Sequence, residues 1–227
     1  KILDTVERSI KVAAGNNRNI IIYHLLRHYR QLLNVSTSES NPRAVLPERY
    51  LHVTHSALYK ATTNGHLEVV RVLVSGFDVD VNYLAKDQFQ HVKRKKSVLY
   101  VAVTSGYKEI AKLLLLNGAD PNAGTKDLLT PLHIAAHEGD LKMAKRLIKY
   151  GANVNSKDLE ANETPLFDAA RAGHADVVKL LIERGADIYL LNHKRQAAWQ
   201  VVHTNNKVLA DLMVKTYLTA KNVRSKM

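Results

Sequence analysis

Two histidines at metal-ligand spacing and one run of basic residues are the features of this sequence that first point to chemistry. His24 and His28 stand four residues apart, which would place two imidazoles on one face of a helix, as in zinc-binding helices. No third ligand is evident, and the 227-residue chain contains no Cys. We therefore interpret the pair as solvated or packed side chains, and we expect no metal and no other cofactor.

Catalytic signatures are missing from the sequence, which contains no HExxH, GxSxG, Walker or GxGxxG motif. The lack of Cys excludes thiolate nucleophiles, disulfides and thiolate metal sites together. Asp120, Asp158 and Asp187 recur because a repeated turn uses them, so they give no support to paired-carboxylate catalysis. This segment is predicted not to be an enzyme.

The basic run is Lys93-Arg94-Lys95-Lys96, in a chain of net charge +12. The excess charge lies at the two ends of the chain and in residues 83–96, whereas the middle is nearly neutral. The run fits a solvated loop, a contact for an acidic partner, or a nuclear import signal. Nucleic acid or anionic lipid fits less well, because only Phe89 nearby could stack on a base.

The elements that position these residues come from an internal repeat. The segments that begin at Ser56, Ser97, Thr130 and Thr164 share one pattern, shown most clearly by TPLHIAAHEGDLKMAKRLIKYGANVN and TPLFDAARAGHADVVKLLIERGADIY. A capping Thr followed by Pro begins a first helix. A central Gly ends it in the left-handed conformation, and apolar residues at helical spacing form a second helix.

These segments resemble the ankyrin repeat in the TPLH opening, the central Gly and the closing Gly-Ala-Asp/Asn. The resemblance implies an all-α solenoid of about six helix-turn-helix repeats, with the first and last degenerate, in a single domain over residues 1–227. The repeats are expected near residues 5–34, 53–82, 94–126, 127–160, 161–192 and 193–220. Insertions near 36–50 and 85–96 are expected to be loops.

The resemblance also assigns individual positions within the repeat. It implies that His133 is structural and bonds the opening Thr130, and that His66 and His174 are structural as well. Aromatic residues take the His133 position elsewhere: Tyr59, Tyr100, Phe167 and Trp199. In the two degenerate repeats the apolar positions are Ile10, Ala13, Ala14, Ile21, Leu25 and Leu26, and then Val208, Leu209, Leu212 and Met213.

For function, the resemblance implies a scaffold that binds a partner protein on the concave face of fingers and first helices. Leu128, Leu129 and Ile134 are apolar where solvent is expected, which is typical of an interface centre. The expected contact residues are Arg94, Lys95, Lys96, Val101, Thr104, Ser105, Leu128, Leu129, Ile134, His137, Glu138, Asn162, Glu163, Asp168, Arg171, Lys194, Arg195, Gln200 and His203.

Two alternatives stay open at this point. The chain lacks an initiator Met, so it could be the substrate-recruiting arm of a larger enzyme or bacterial effector, or a basic targeting module. No apolar run approaches the ~18–20 residues of a membrane span, and no signal peptide is visible. We expect a reducing compartment, the cytoplasm or the nucleus, and a protein partner, with an acidic surface if the basic run contacts it, rather than nucleic acid.

Overall fold

The computed structural model describes residues 2–32, 48–77, 79–82, 96–203 and 206–224. These ranges contain twelve α-helices and one isolated bridge between Leu191 and Ala197. The predicted all-α fold is confirmed. The helices are α1 (Ile2–Gly15), α2 (Asn19–Leu32), α3 (Glu48–Thr63), α4 (Leu67–Gly76), α5 (Val98–Thr104), α6 (Lys108–Leu116), α7 (Pro131–His137), α8 (Leu141–Lys149), α9 (Pro165–Ala172), α10 (Ala175–Glu183), α11 (Ala198–His203) and α12 (Lys207–Arg224).

The chain forms two compact units, Lys1–Lys93 with Ser105–Ala119, and Arg94–Thr104 with Asp120–Met227. In the first unit α1 packs on α3, and α2, α4 and α6 pack in succession. In the second unit α5, α7, α9 and α11 form one layer, and α8, α10 and α12 form the other. Each unit is therefore a stack of two helical layers, while the assignment of a single domain stays a prediction.

Local sequence determines where the helices of the second unit begin and end. Thr130 has an extended backbone and caps α7, Pro131 occupies its first position, and His133 completes a reciprocal capping box. Gly173, at φ +79°, ends α9 in the left-handed conformation that a side chain would make costly. These predicted start and stop signals are confirmed.

Small side chains let the first helices of the second unit approach each other. Ala135 and Ala136 of α7 and Ala169 and Ala170 of α9 are all buried, at the contact between these two helices. The buried side chains of the other layer are mostly larger and aliphatic. Its core is built from the buried residues Met143, Ala144, Leu147, Val177, Val178, Leu180, Leu181, Ile182, Leu209, Ala210 and Met213.

The predicted insertion near 36–50 is wrong at its end, because α3 already begins at Glu48. Tyr50 is fully buried, donates from its hydroxyl to the Phe77 carbonyl at 3.1 Å and stacks on Tyr29. An aromatic residue with both apolar and polar partners extends the helix by two turns before Ser56. Residues 36–47 of that insertion, and 85–95 of the second one, lie outside the described residues.

Two predicted core positions of the degenerate repeats face solvent. Ile22 is buried in place of the expected Ile21, and Val208 is exposed on α12 while Leu209 and Met213 are buried. The outer repeats have fewer neighbours to cover them, so a position that is core in an inner repeat can face water there. A third difference lies in the repeat near 53–82, where Tyr59 is exposed although its counterparts Tyr100 and Phe167 are buried.

Candidate binding surface

Asparagine side chains join the loops of the second unit to one another. We call the segments 120–130, 153–164 and 187–197 the fingers. Asn122 donates from Nδ2 to the Gly151 carbonyl at 3.1 Å and accepts from the Asn153 backbone at 2.8 Å. Asn155 repeats the pattern one finger later, with Gly185 and Asp187. Asn122 and Asn155 are thus structural, and the fingers are held side by side.

His133 is structural as well. Its Nδ1 accepts from the Thr130 backbone at 3.1 Å, which leaves the proton on Nε2 to donate to the Glu163 carbonyl at 3.2 Å. Burial lowers the pKa of His133, so the ring stays neutral. His66 and His174 each donate from Nε2 to a carbonyl of the preceding helix pair, Gly15 and His137, at 2.9 Å. The structural roles predicted for all three histidines are confirmed.

Three leucines on the fingers face the solvent. Leu128, Leu159 and Leu191 have exposed fractions of 52%, 59% and 44%. Leu159 donates its N–H to the Asp127 carbonyl at 2.9 Å, and the Leu191 carbonyl accepts from Asn162 Nδ2 at 2.9 Å. These contacts place one exposed leucine on each of three neighbouring fingers. We refer to this set as the finger leucines.

Sequence reasoning identified Leu128 and missed Leu159 and Leu191. The repeat template treats Leu159 and Leu191 as ordinary finger positions. A leucine that directly follows a polar turn residue, as Leu159 follows Asp158, is the sequence signal that could have revealed them.

A buried carboxylate lies behind the fingers. Arg171 Nη2 donates to both oxygens of Glu163 at 2.6 and 2.7 Å, and Asn192 Nδ2 donates to Oε1 at 3.0 Å. Asp158 accepts from the backbone of Ala161 and of Glu163. Through Glu163, Asn192 and Arg171 this network connects the fingers 153–164 and 187–197 to α9, and it restrains both fingers.

Asp168 borders this network and titrates far from its ordinary range. Burial of its carboxyl and, next, the negative charge of Glu163 raise the pKa to about 7, and the opposing effect of Arg171 is smaller than that of Glu163. The hydrogen bond to Glu163 raises the pKa of Arg171, which keeps the guanidinium charged. Asp168 is therefore partly protonated near neutral pH.

Of the sixteen predicted contact residues whose side chains the structure describes, nine are exposed. Val101 and Glu163 are buried, so the solvent exposure expected of them is wrong: Val101 packs in the first-helix layer, and Glu163 is held by Arg171 and Asn192. Leu129, Ile134, Asn162 and Asp168 are half-buried, and Lys96 lies over the Tyr100 ring. The exposed residues are Thr104, Leu128, His137, Glu138, Arg171, Lys194, Arg195 and Gln200 in the second unit, and Ser105 in the first.

Three predicted contact residues cannot be placed on this surface. Arg94, Lys95 and the side chain of His203 lie outside the described residues. The binding role of the placed residues, and of these three, stays a prediction. His24 and His28 are both exposed on α2, and the described residues contain no group of three potential metal ligands.

The repeats match a known family over most of the chain. The family model described as "Ankyrin repeats (3 copies)" matches twice, at residues 10–125 and 99–192. The chain belongs to the ankyrin-repeat family. Ankyrin repeats generally mediate protein–protein interaction and are typically non-catalytic. Among the described residues no helix is both long and apolar enough to cross a membrane.

Individual relatives carry ankyrin repeats in proteins of different kinds. The "Ankyrin repeat and KH domain-containing protein mask-1" of Caenorhabditis elegans is 31% identical over 80% of this chain and 7% of its own length. "Palmitoyltransferase AKR1" of Lachancea kluyveri is 28% identical over 81% and 29%. The "Probable 26S proteasome regulatory subunit p28" of Saccharomyces cerevisiae is 32% identical over 62% and 60%. The chain spans less than two thirds of the length of each of these relatives.

Proposed function

We propose that this ankyrin-repeat chain is a protein-interaction module that binds a partner protein on the fingers and first helices of its second unit. The observation that carries the proposal is the set of finger leucines, which expose apolar side chains on three neighbouring fingers. Exposed apolar groups rimmed by polar residues mark interaction sites more often than ordinary surface. Exposed polar residues of the same unit include Lys194 and Arg195 on the third finger and His137 at the end of α7.

Rigidity supports the same surface. The Glu163–Arg171 ion pair and the asparagine bonds between fingers hold the leucines on a preformed base. A preformed surface loses little conformational entropy when it binds. The free energy gained by burying apolar surface is therefore offset less and contributes more to the affinity. The half-buried Leu129 and Ile134 add apolar area beside Leu128.

A second role follows from the relatives. Because proteins such as "Palmitoyltransferase AKR1" carry similar repeats within a longer chain, the module could serve as the recruiting arm of a larger protein. The basic run 93–96 would then contact an acidic partner or direct nuclear import. The full-length coding sequence tests this proposal directly, since it would show whether another domain accompanies the repeats.

The test of the main proposal uses a variant that combines Leu128→Asp with Leu159→Asp. Both side chains are exposed, so folding should be retained while a charge enters the centre of the surface. We expect proteins that co-purify with the wild-type chain, and whose direct binding is reproduced with purified components, to bind at least about tenfold more weakly. Isothermal titration calorimetry would measure the loss.

A control is Leu116→Asp, which places an aspartate at an exposed leucine of α6 in the first unit, outside the finger segments. The circular dichroism spectra should match the wild type for both proteins, and neither variant should melt below the wild-type temperature. Undiminished partner binding by the double aspartate variant would contradict the proposal.

A further inference from the structure

A groove of about 480 Å³ lies on the first unit between α1 and α3. It is lined by Arg8, Lys11 and Val12 of α1, by Ser56 and Lys60 of α3, and by Asn64, which directly follows α3. Positions 56, 60 and 64 recur every four residues, so they form one stripe along α3. The residues at 8, 11 and 12 form the facing stripe on α1. The groove is therefore the channel between the outer edges of two packed helices.

Gly15 lies where α1 and α3 meet. Asn64 Nδ2 and His66 Nε2 both donate to the Gly15 carbonyl, at 2.8 and 2.9 Å. A Cβ at position 15 would lie 3.2 Å from Lys60 Cε, so the stem of Lys60 passes over the glycine. The aliphatic part of Lys60 therefore lies along the end of α1, beside the groove that this residue lines.

The groove carries three positive charges. Among the eight described residues that line it, none is acidic. Asp4 and Glu7, the acidic residues of α1, are both ion-paired with Arg49. Arg8 and Lys60 are exposed and Lys11 is half-buried. The described lining offers these cations no carboxylate, and their field attracts anionic groups.

We propose that this groove binds an acidic segment of a partner protein, with its carboxylates on Arg8, Lys11 and Lys60 and an aliphatic side chain over Val12. Val12 is 56% exposed in the middle of the cationic stripe, which favours a ligand that carries both charge and apolar surface. None of the described residues that line the groove is aromatic and could stack on a base, which favours a protein over a single-stranded nucleic acid. The surface is distinct from the finger leucines and goes beyond the proposed function.

The experiment compares fluorescein-labelled peptides by anisotropy. The probes are a short peptide of glutamate and leucine, its counterpart with glutamine in place of glutamate, and a single-stranded oligonucleotide. The variant combines Arg8→Glu, Lys11→Glu and Lys60→Glu, and a second variant carries Val12→Ser. We expect the glutamate–leucine peptide to bind the wild type, with at least about tenfold loss in the triple variant and a smaller loss for Val12→Ser.

The matched control is Lys142→Glu with Lys145→Glu and Lys149→Glu on α8, which changes the net charge equally outside the groove. This control and the Leu128→Asp/Leu159→Asp variant should both retain peptide binding. Circular dichroism would verify that every variant is folded. An equal loss in the α8 control, binding of the glutamine peptide as tight as that of the glutamate peptide, or tighter binding of the oligonucleotide would each overturn the proposal.

Discussion

The fold changes the ordinary acid–base chemistry of Asp168. Its pKa of about 7 lies above the usual value of 3.8, because the carboxyl is partly buried beside the charge of Glu163. The folded protein therefore keeps a proton that the unfolded chain releases. The contribution of Asp168 to the free energy of unfolding is therefore greatest below pH 4, falls as the pH rises from about 4 to about 7, and is constant above pH 7.

Asp168→Asn should remove this dependence, because the amide does not ionise. We expect the free energy of unfolding of the variant to exceed that of the wild type by about 1–2 kcal/mol above pH 7, after allowance for the half-exposed site, and to converge below pH 4. Urea denaturation across this pH range would measure the difference. A wild type and a variant with parallel pH profiles would contradict the assignment.

Leu128 is the second residue of note, since it adopts a φ of +56°. The residues at the corresponding positions of the next two fingers, Asn162 and Arg195, have a φ of +58°. Asparagine adopts this left-handed conformation readily, whereas for leucine it costs about 1 kcal/mol of conformational free energy. A strained, exposed leucine is expected where its side chain has a use, in agreement with the proposed interface.

Leu128→Asn should therefore raise the free energy of unfolding by about 0.5–1 kcal/mol and weaken partner binding at the same time. Chemical denaturation measures the first effect, and calorimetry with a purified partner measures the second. Asn162→Leu is the matched reverse change and should destabilise. If Leu128→Asn proved less stable than the wild type, the side chain would be packing rather than strained.

At the scale of helices, burial separates positions that look alike in sequence. Leu181 of α10 is fully buried between the helices of its layer, whereas Val208 of α12 is 80% exposed. Leu181→Ala should cost about 2–5 kcal/mol through the cavity that it leaves. Val208→Ala should change stability by less than about 0.5 kcal/mol. Thermal or urea unfolding would rank them, and a reversed order would show that the register of the last two helix pairs is wrong.

Helix α3 begins two turns before the position that the repeat template predicts. The template begins the first helix at Ser56, but Tyr50 stacks on Tyr29 and bonds the Phe77 carbonyl two turns earlier. Arg49 adds an ion pair with Glu7 of α1. These partners are far from α3 in sequence, so helical periodicity alone could not reveal that they hold its first turns.

For the whole molecule, the sequence determined the all-α architecture and the register of the inner repeats. The reason is that their signals are local: Thr130 and Pro131 begin a helix, Gly173 ends one, and small alanines permit the next helix to approach. Each of these sequence signals acts within a few residues, and the signals recur along the chain. The structural role of His133 followed from the same repetition.

Only the tertiary structure decided which finger residues face solvent and which titrate abnormally. Glu163 is buried because Arg171 and Asn192, eight and 29 residues away, meet its carboxylate. The finger leucines become neighbours through bonds between loops, and the cationic groove arises where α1 and α3 pack at Gly15. Burial, shifted pKa values and surface charge depend on groups brought together in space, and a linear pattern does not contain those distances.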